Sequence, residues 1–120
     1  MVTTRQLATV CAEACDDKKA ADIVVLDVRK LTYISDYFVI CSTTNDRQAR
    51  AITEGCRAEM KALEVKEMGV EGLNDARWIV QDFGDIVVHI FHESQREFYD
   101  LEGLWADAPR VRWKRAAQRS

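Results

Sequence analysis

Two apolar runs joined by Gly84-Asp85 constrain this chain more than any other feature of its sequence. Both runs are rich in β-branched residues, and glycine at the first central position suits a two-residue type II′ turn. The sequence therefore predicts a β-hairpin that pairs residues 78–83 with residues 86–91. Phe83 then lies opposite Ile86. Because successive side chains of a strand point to opposite faces, this register determines which residues share a face.

The two faces of the predicted hairpin differ in chemistry. The first face is almost wholly apolar and is expected to face the protein core. It carries Ile79, Gln81, Phe83, Ile86, Val88 and Ile90. The second face mixes aromatic rings with an acid and an imidazole, which is typical of a recognition surface. It carries Trp78, Val80, Asp82, Val87, His89 and Phe91. Exposure of Trp78 and Phe91 to a partner and burial of both beneath a helix fit this pattern equally well.

Hydrophobic periodicity predicts five further elements around the hairpin. In chain order they are a helix over residues 4–15, strands over residues 23–28 and 37–43, a helix from the Asn45 cap to residue 63, and a helix that begins at Ser94 and ends at Gly103. The order α-β-β-α-β-β-α indicates an α+β protein with a mixed four-stranded sheet and packed helices. The helix within residues 37–83 favours a right-handed parallel crossover between the strands that flank it.

The connection over residues 65–75 contains Gly69, Gly72 and Asn74 and is expected to be a loop. In the last helix, the spacing of Phe98, Leu101 and Trp105 predicts an inner face. Gly103 suits the position after a helix, where it would let Leu104 fold back onto Tyr99.

The length of 120 residues predicts one domain, residues 1–108, followed by a flexible basic tail, residues 109–120. No apolar run approaches the ~20 residues of a membrane span. The first residues lack the basic and apolar regions of a secretory signal, so a cytosol-like compartment is expected.

Charge is distributed unevenly along the chain. Residues 106–120 hold five basic residues and one acid, although the net charge of the whole chain is −3. An acidic body suits a basic protein partner better than it suits nucleic acid in general. In the tail, Trp113 lies between basic residues that could contact RNA, and a solvated, disordered end fits the pattern equally well.

The four cysteines predict structural thiols. Cys11 and Cys15 share a helix face, whereas Cys41 and Cys56 lie on other elements. No second pair occurs at the spacing of metal ligands. Buried, reduced cysteines are therefore expected.

No other group of residues supports catalysis or metal binding. His89 lies on a strand and His92 beyond its end, so they need not converge with Glu93 on a metal. The nearest pair of carboxylates, Asp100 and Glu102, falls on a predicted helix, whereas nucleotidyl transfer requires carboxylates that hold two metal ions. We therefore predict no catalytic residue, metal or cofactor.

Several strings of the sequence resemble the ribosomal silencing factor (RsfS, or Iojap) family. They extend in order over residues 5–108 and comprise residues 23–28 (IVVLDV), residues 34–42 (ISDYFVICS) with Arg47-Gln48, residues 78–89 with their DFGDIVVH motif, and residues 96–102 (REFYDLE) with Leu104-Trp105. Two positions depart from the pattern of the family. Thr43 stands where a smaller residue is usual, and Gly103 replaces a helix former.

The resemblance implies a nucleotidyltransferase-like fold without catalytic residues, and hence a binding protein. Members of the family bind the large ribosomal subunit through its protein L-fourteen, block association with the small subunit and repress translation when nutrients are scarce. Homodimers are common among them. The resemblance also implies a bacterial-type cytosol or an organelle matrix as the location. The alternatives are a nucleotidyltransferase-like enzyme and an adaptor with no ribosomal target.

Carried onto this chain, the resemblance implies a partner-binding site on the second face of the hairpin and its turn. Its residues are Trp78, Val80, Asp82, Gly84, Asp85, His89 and Phe91. The mechanism that we expect is steric exclusion, in which an aromatic anchor is desolvated and surrounding carboxylates meet basic groups. If Trp78 and Phe91 are covered, the contact must shift toward the turn and the loop before Trp78.

Overall fold

A five-stranded mixed sheet in the order β1-β2-β5-β4-β3 forms the centre of the protein. The computed structural model describes residues 2–114. Its elements are α1 (Thr4–Asp17), β1 (Ala21–Asp27), β2 (Tyr37–Thr43), α2 (Asp46–Ala62), β3 (Gly69–Glu71), β4 (Trp78–Asp82), β5 (Ile86–His92), α3 (Glu93–Tyr99) and α4 (Leu101–Leu104). The predicted α+β class with a mixed sheet is confirmed. None of the helices in the described range is long and apolar enough to cross a membrane.

Strand pairing corrects two details of the predicted topology. A fifth strand, β3, lies within the region predicted to be a loop and pairs antiparallel with β4. The parallel neighbour of β2 is β5, not the strand that directly follows α2. The crossover therefore includes β3 and β4 as well as α2, and β4 runs opposite to β2.

The hairpin has the predicted register. Trp78 pairs with Phe91 at its open end. At its closed end, the Phe83 amide donates to the carbonyl of Ile86 at 2.8 Å. Gly84 has φ +89°, whereas Asp85 is not among the residues with positive φ, as a type II′ turn requires.

Two helices cover the face of the sheet that was predicted to be core. Thr3 caps α1 through a capping box with Gln6. Asn45 Oδ1 accepts from the Gln48 amide at 2.8 Å and caps α2. The hairpin residues on this face are at most 5% exposed, which confirms the prediction. We call this side of the protein the helix-covered face; its hairpin residues are Ile79, Gln81, Phe83, Ile86, Val88 and Ile90.

All four cysteines are free and buried within the core of the helix-covered face. The Cys56 thiol donates to the carbonyl of Cys11 at 3.7 Å, a contact between α1 and α2. Hydrogen bonding to Cys56 and burial raise the pKa of the Cys11 thiol. Buried structural cysteines, as predicted, allow the two helices to pack closely.

The last helical region is broken into two short helices. Asp100 has φ 44° and ψ 52°, so it ends α3 in the left-handed region and caps α4. Its carboxylate accepts from the Gly103 amide at 3.1 Å. The prediction that Gly103 ends one continuous helix is therefore wrong. The break also turns Phe98 outward, where it is 78% exposed, and leaves Leu104 77% exposed.

Residues 109–113 lie beside β1 and extend the sheet. The Val111 amide donates to the carbonyl of Val25 at 2.8 Å. The indole nitrogen of Trp113 donates to a β1 carbonyl at 3.2 Å. The predicted flexible tail is thus wrong for these residues, whereas residues 115–120 lie outside the described range.

Candidate partner-binding surface

The second face of the hairpin contributes to a cluster of aromatic rings that we call the aromatic face. Phe38 of β2 contacts the ring of His89 edge-on, with ring centroids 5.1 Å apart, and contacts Trp105 at the same distance. Apolar side chains fill the space between the sheet and α4, notably Leu101, which is 8% exposed. The full set of rings is Phe38, Trp78, His89, Phe91, Tyr99 and Trp105.

Trp78 occupies the accessible edge of the aromatic face. Its ring stacks on Phe91 at 5.0 Å with an interplanar angle of 23°. Tyr99 contacts its other side at 4.6 Å. The indole nitrogen donates to His89 Nδ1 at 3.2 Å. Trp78 is half-buried by these contacts, so part of the ring stays open to solvent in a fixed orientation.

The predicted site residues divide into an accessible row and a buried layer. Trp78, Val80 and Asp82 on β4 are half-buried, Gly84 is also half-buried, and Asp85 is exposed. Five consecutive strand residues span about 13 Å between the first and last of them, so this row forms one continuous strip.

The buried layer corrects the sequence prediction. Phe91 is 0% exposed and His89 is 7% exposed. A direct contact between Phe91 and a partner, which the family pattern implied, is not possible in this conformation. Both side chains instead support the ring of Trp78.

Hydrogen bonds hold the turn at the far end of the row. Asp82 Oδ1 accepts from the Gly84 amide at 2.7 Å. The carbonyl of Asp85 accepts from the Ser35 hydroxyl and from the Asp36 amide, both at 2.8 Å. The loop before β2 therefore fixes the turn, and one oxygen of Asp82 serves the turn itself.

Three accessible apolar residues of the last helical region were missed from the sequence. Tyr99 is 41% exposed, and Phe98 and Leu104 project more fully into solvent. The spacing of Phe98, Leu101 and Trp105 predicted that Phe98 points inward. That prediction is wrong because the spacing defines a common face only in an unbroken helix. The sequence signal for the helix break was Asp100, three residues before Gly103, because aspartate tolerates the left-handed region and caps helices well.

The short helices α3 and α4 carry mainly acidic side chains. The segment over residues 93–104 carries four acids and one base, Arg96. Arg96 is committed to internal contacts: it bonds Glu102 at 3.0 Å and the Ser42 hydroxyl at 2.9 Å. Hydrogen bonding to Arg96 lowers the pKa of Glu102. The helices beside Trp78 are therefore mainly acidic, and exposed basic side chains lie next to Trp78 at Arg77 and 3.7 Å from Glu102 at Arg110.

The histidines beside this surface are held by other contacts or by burial. Within residues 2–114, no group of three or more His, Cys, Asp or Glu side chains could hold a metal. His92 uses both ring nitrogens, with Ser94 at 2.8 Å and the carbonyl of Thr44 at 3.1 Å. Burial lowers the pKa of His89 to about 4, so this ring is neutral at neutral pH. The arrangement suits binding.

Comparison with known protein families gives a match over residues 2–120 to the model described as "Ribosomal silencing factor during starvation". A Bacillus subtilis protein named ribosomal silencing factor RsfS is 43% identical over 107 residues, which cover 88% of this chain and 89% of the relative. The chloroplastic protein Iojap of Zea mays is 36% identical over 104 residues, covering 84% of this chain and 44% of that protein.

Solved structures show the same fold. A crystal structure of a Chromobacterium violaceum protein superposes with a TM-score of 0.85 at 29% identity and covers 98% of both chains. A Bacillus halodurans protein superposes with a TM-score of 0.79 at 34% identity, covering 90% of this chain and 98% of that chain.

Proposed function

This chain belongs to the ribosomal silencing factor family, and from that premise we propose that it binds the large ribosomal subunit through protein L-fourteen. In the bound state it blocks association with the small subunit and represses translation when nutrients are limiting. The names of its relatives describe regulatory factors. The chloroplastic relatives are consistent with action in a cytosol or in an organelle, where ribosomes occur.

The observation that carries this proposal is the accessible strip that begins at Trp78. A large ring, fixed in place and partly exposed, is the kind of side chain that dominates interface energies. Tyr99 contacts Trp78, and the exposed ring of Phe98 lies 5.1 Å from Tyr99, so Phe98 enlarges the apolar surface on this side. Asp82 and Asp85 on the strip complement a basic surface such as that of a ribosomal protein, which favours fast and specific association.

Such a contact can inhibit subunit joining through the volume of the bound protein alone. A standard interface buries about 800 Å² per partner, roughly a tenth of the surface of a small protein. The protein measures 36 × 34 × 30 Å. A body of that size at the subunit interface would keep the two subunits apart without any chemical step.

Roles within the site follow from accessibility. Trp78, Val80 and Asp82, with the turn residues Gly84 and Asp85, form the contact strip. His89 and Phe91 act from beneath it, since both are buried.

The decisive experiment is sedimentation of the protein with purified large subunits, followed by addition of small subunits. Phe98→Ser is the informative variant, because this side chain is 78% exposed and its loss leaves the core intact. Leu63→Ser, at the end of α2, is the matched control. We expect Phe98→Ser to weaken co-sedimentation and restore subunit joining. Binding of the wild-type protein without any inhibition of joining would reject the mechanism.

We also propose that the protein forms a homodimer, as the family resemblance implies. The loop between β1 and β2 displays Tyr33, 106% exposed, and Ile34, 83% exposed. This loop is bonded to the hairpin turn, at the opposite end of β4 from Trp78. Self-association there would leave the aromatic face free. Sedimentation equilibrium should show a dimer that Tyr33→Ser with Ile34→Ser converts to monomer; a wild-type monomer at all concentrations would refute this.

Contact with ribosomal RNA by the basic tail is a further part of the proposal. Arg112 and Lys114 are exposed. Trp113 is less suited to stacking on bases than the sequence indicated, because its indole is bonded to β1. Removing a side chain that binds a phosphate should reduce the salt dependence of RNA binding. We expect the double variant Arg112→Gln, Lys114→Gln to show a smaller decrease of RNA affinity with rising salt concentration. An unchanged salt dependence and affinity would exclude a role for these two residues.

A further inference from the structure

His89 holds the indole of Trp78 from beneath. The direct cross-strand partner of His89 is Val80, and Trp78 is its diagonal neighbour on the same face. Diagonal neighbours lie within reach of large side chains. Trp78 Nε1 donates to His89 Nδ1 at 3.2 Å. Because an indole nitrogen can only donate, Nδ1 must accept, and the neutral ring carries its proton on Nε2.

The second nitrogen of His89 is buried without a hydrogen-bond partner. Nε2 contacts no acceptor within residues 2–114. Phe38 packs edge-on at 5.1 Å and Phe91 stacks at 6.5 Å. A buried donor without an acceptor destabilises the folded state. For folding alone, a ring of the same shape without nitrogen atoms would suit this position better.

We propose that His89 is a positioning residue for partner binding, which fixes the Trp78 indole in its binding orientation at a cost in folding stability. The inference rests on the proposed function. A ring that is ordered before the encounter loses less conformational entropy on binding than a mobile ring does. The stacking of Phe91 restricts the tilt of the indole, and the bond to His89 selects which edge is buried.

The same bond defines the chemistry of the group that covers Trp78. The only donor of the indole is satisfied by His89, so the exposed part of the ring offers apolar and π surface and no hydrogen bond. An aliphatic or cationic side chain of the partner fits that surface, because cations are attracted to the face of an indole. A carboxylate or carbonyl acceptor does not fit it.

Two substitutions at His89 separate positioning from simple structural support. His89→Phe keeps a ring and removes both nitrogens. His89→Asn loses the ring but keeps an oxygen that branches from Cγ as Nδ1 does. If His89 only supported the fold, binding would follow stability and the Phe variant would bind better. If His89 positions Trp78, the order of stability and the order of binding are opposite: the Phe variant is the more stable and the Asn variant binds better.

The experiment measures three quantities for each protein: the urea midpoint, the indole N–H resonance of Trp78 in a ¹H–¹⁵N spectrum, and co-sedimentation with purified large subunits. We expect His89→Phe to have an equal or higher midpoint, a shifted Trp78 indole resonance and about fivefold weaker binding, since one net hydrogen bond is involved. We expect His89→Asn to have a lower midpoint but binding and an indole resonance closer to those of the wild type.

The outcomes distinguish failure of this inference from failure of the proposed function. An unchanged indole resonance and unchanged binding in His89→Phe would reject positioning alone. The same conclusion follows if the Asn variant binds more weakly than the Phe variant. Absence of co-sedimentation by the wild-type protein would reject the proposed function, and this inference with it, whatever the spectra show.

Discussion

The sheet is covered by long helices on one side and by short, broken helices on the other. On the helix-covered face, α1 and α2 bury aliphatic and cysteine side chains. On the aromatic face, α3 buries no side chain and α4 buries only Leu101. The side chains of adjacent β4 residues thus lie in two different environments. Ile79 is buried in a conventional core, whereas Trp78 joins rings that are stacked and partly open. The first environment secures the fold, and the second presents a surface at some cost in stability.

Ile79→Ala tests the helix-covered face and should have the largest effect. Ile79 is fully buried, and removing such a side chain costs about 3–4 kcal/mol through reduced burial and the cavity left behind. Urea unfolding measures this destabilisation. Binding of the remaining folded protein to large subunits should be unchanged; a specific loss of affinity would mean that the two faces are not independent.

Acid should destabilise the aromatic face through His89. Its pKa in the folded protein is about 4, against about 6.5 in the unfolded chain. Well above pH 6.5 neither state binds this proton, and His89 does not make stability depend on pH. As the pH falls from 6.5 to 4, the unfolded state is protonated first, so stability falls by up to about 3 kcal/mol. Urea midpoints between pH 7 and 5 should decrease in the wild type and change much less in His89→Phe.

Tyr99→Ala should affect binding more than folding. The ring is 41% exposed and contacts Trp78 at 4.6 Å. Aromatic residues near the centre of an interface typically cost about 2 kcal/mol on truncation, or roughly 30-fold in affinity. Co-sedimentation at several protein concentrations measures this change, with Leu63→Ala as the control. Equal losses in both variants would argue against a specific aromatic surface.

Gly103→Ala should have the smallest effect. A Cβ at this position would lie 2.1 Å from Asp100 Oδ2, so the carboxylate that caps α4 must move. Loss of such a cap costs about 1 kcal/mol. Hydrogen exchange should become faster in α4 and stay unchanged in β4 and β5. Faster exchange throughout the sheet would show that α4 and the sheet unfold as one unit.

Local chemistry explains which parts of the fold were predictable. The hairpin turn needs a residue that accepts positive φ, and Gly84 marks it. The predicted cap of α2, Asn45, is a polar residue that satisfies a free amide at the helix start. The division of the hairpin into two faces also followed from the alternation of side chains. These features depend on residues close together in sequence.

Features that depend on distant contacts were not predictable. β3 has three residues, too few for a periodic pattern, and exists because β4 offers a free edge. Residues 109–113 are basic and end near the terminus, yet β1 pairs with them. The burial of Phe91 depends on where α3 and α4 fold back, which the hairpin sequence does not encode. The place of the candidate site along the chain stays a prediction, and tertiary packing decides which of its residues a partner can reach.

The central parallel pair has a consequence for the order in which the protein folds. Tyr37 of β2 pairs with Ile86 of β5, so the middle of the sheet joins segments far apart in sequence. Loop-closure entropy must be overcome before such a pair forms, and topologies of this kind fold more slowly than local ones. During synthesis, β1, β2 and both long helices emerge before β5 emerges. The Trp78 surface can therefore form only after residue 91 has left the ribosome that makes it, so a nascent chain whose β5 is still inside the ribosome does not carry this surface.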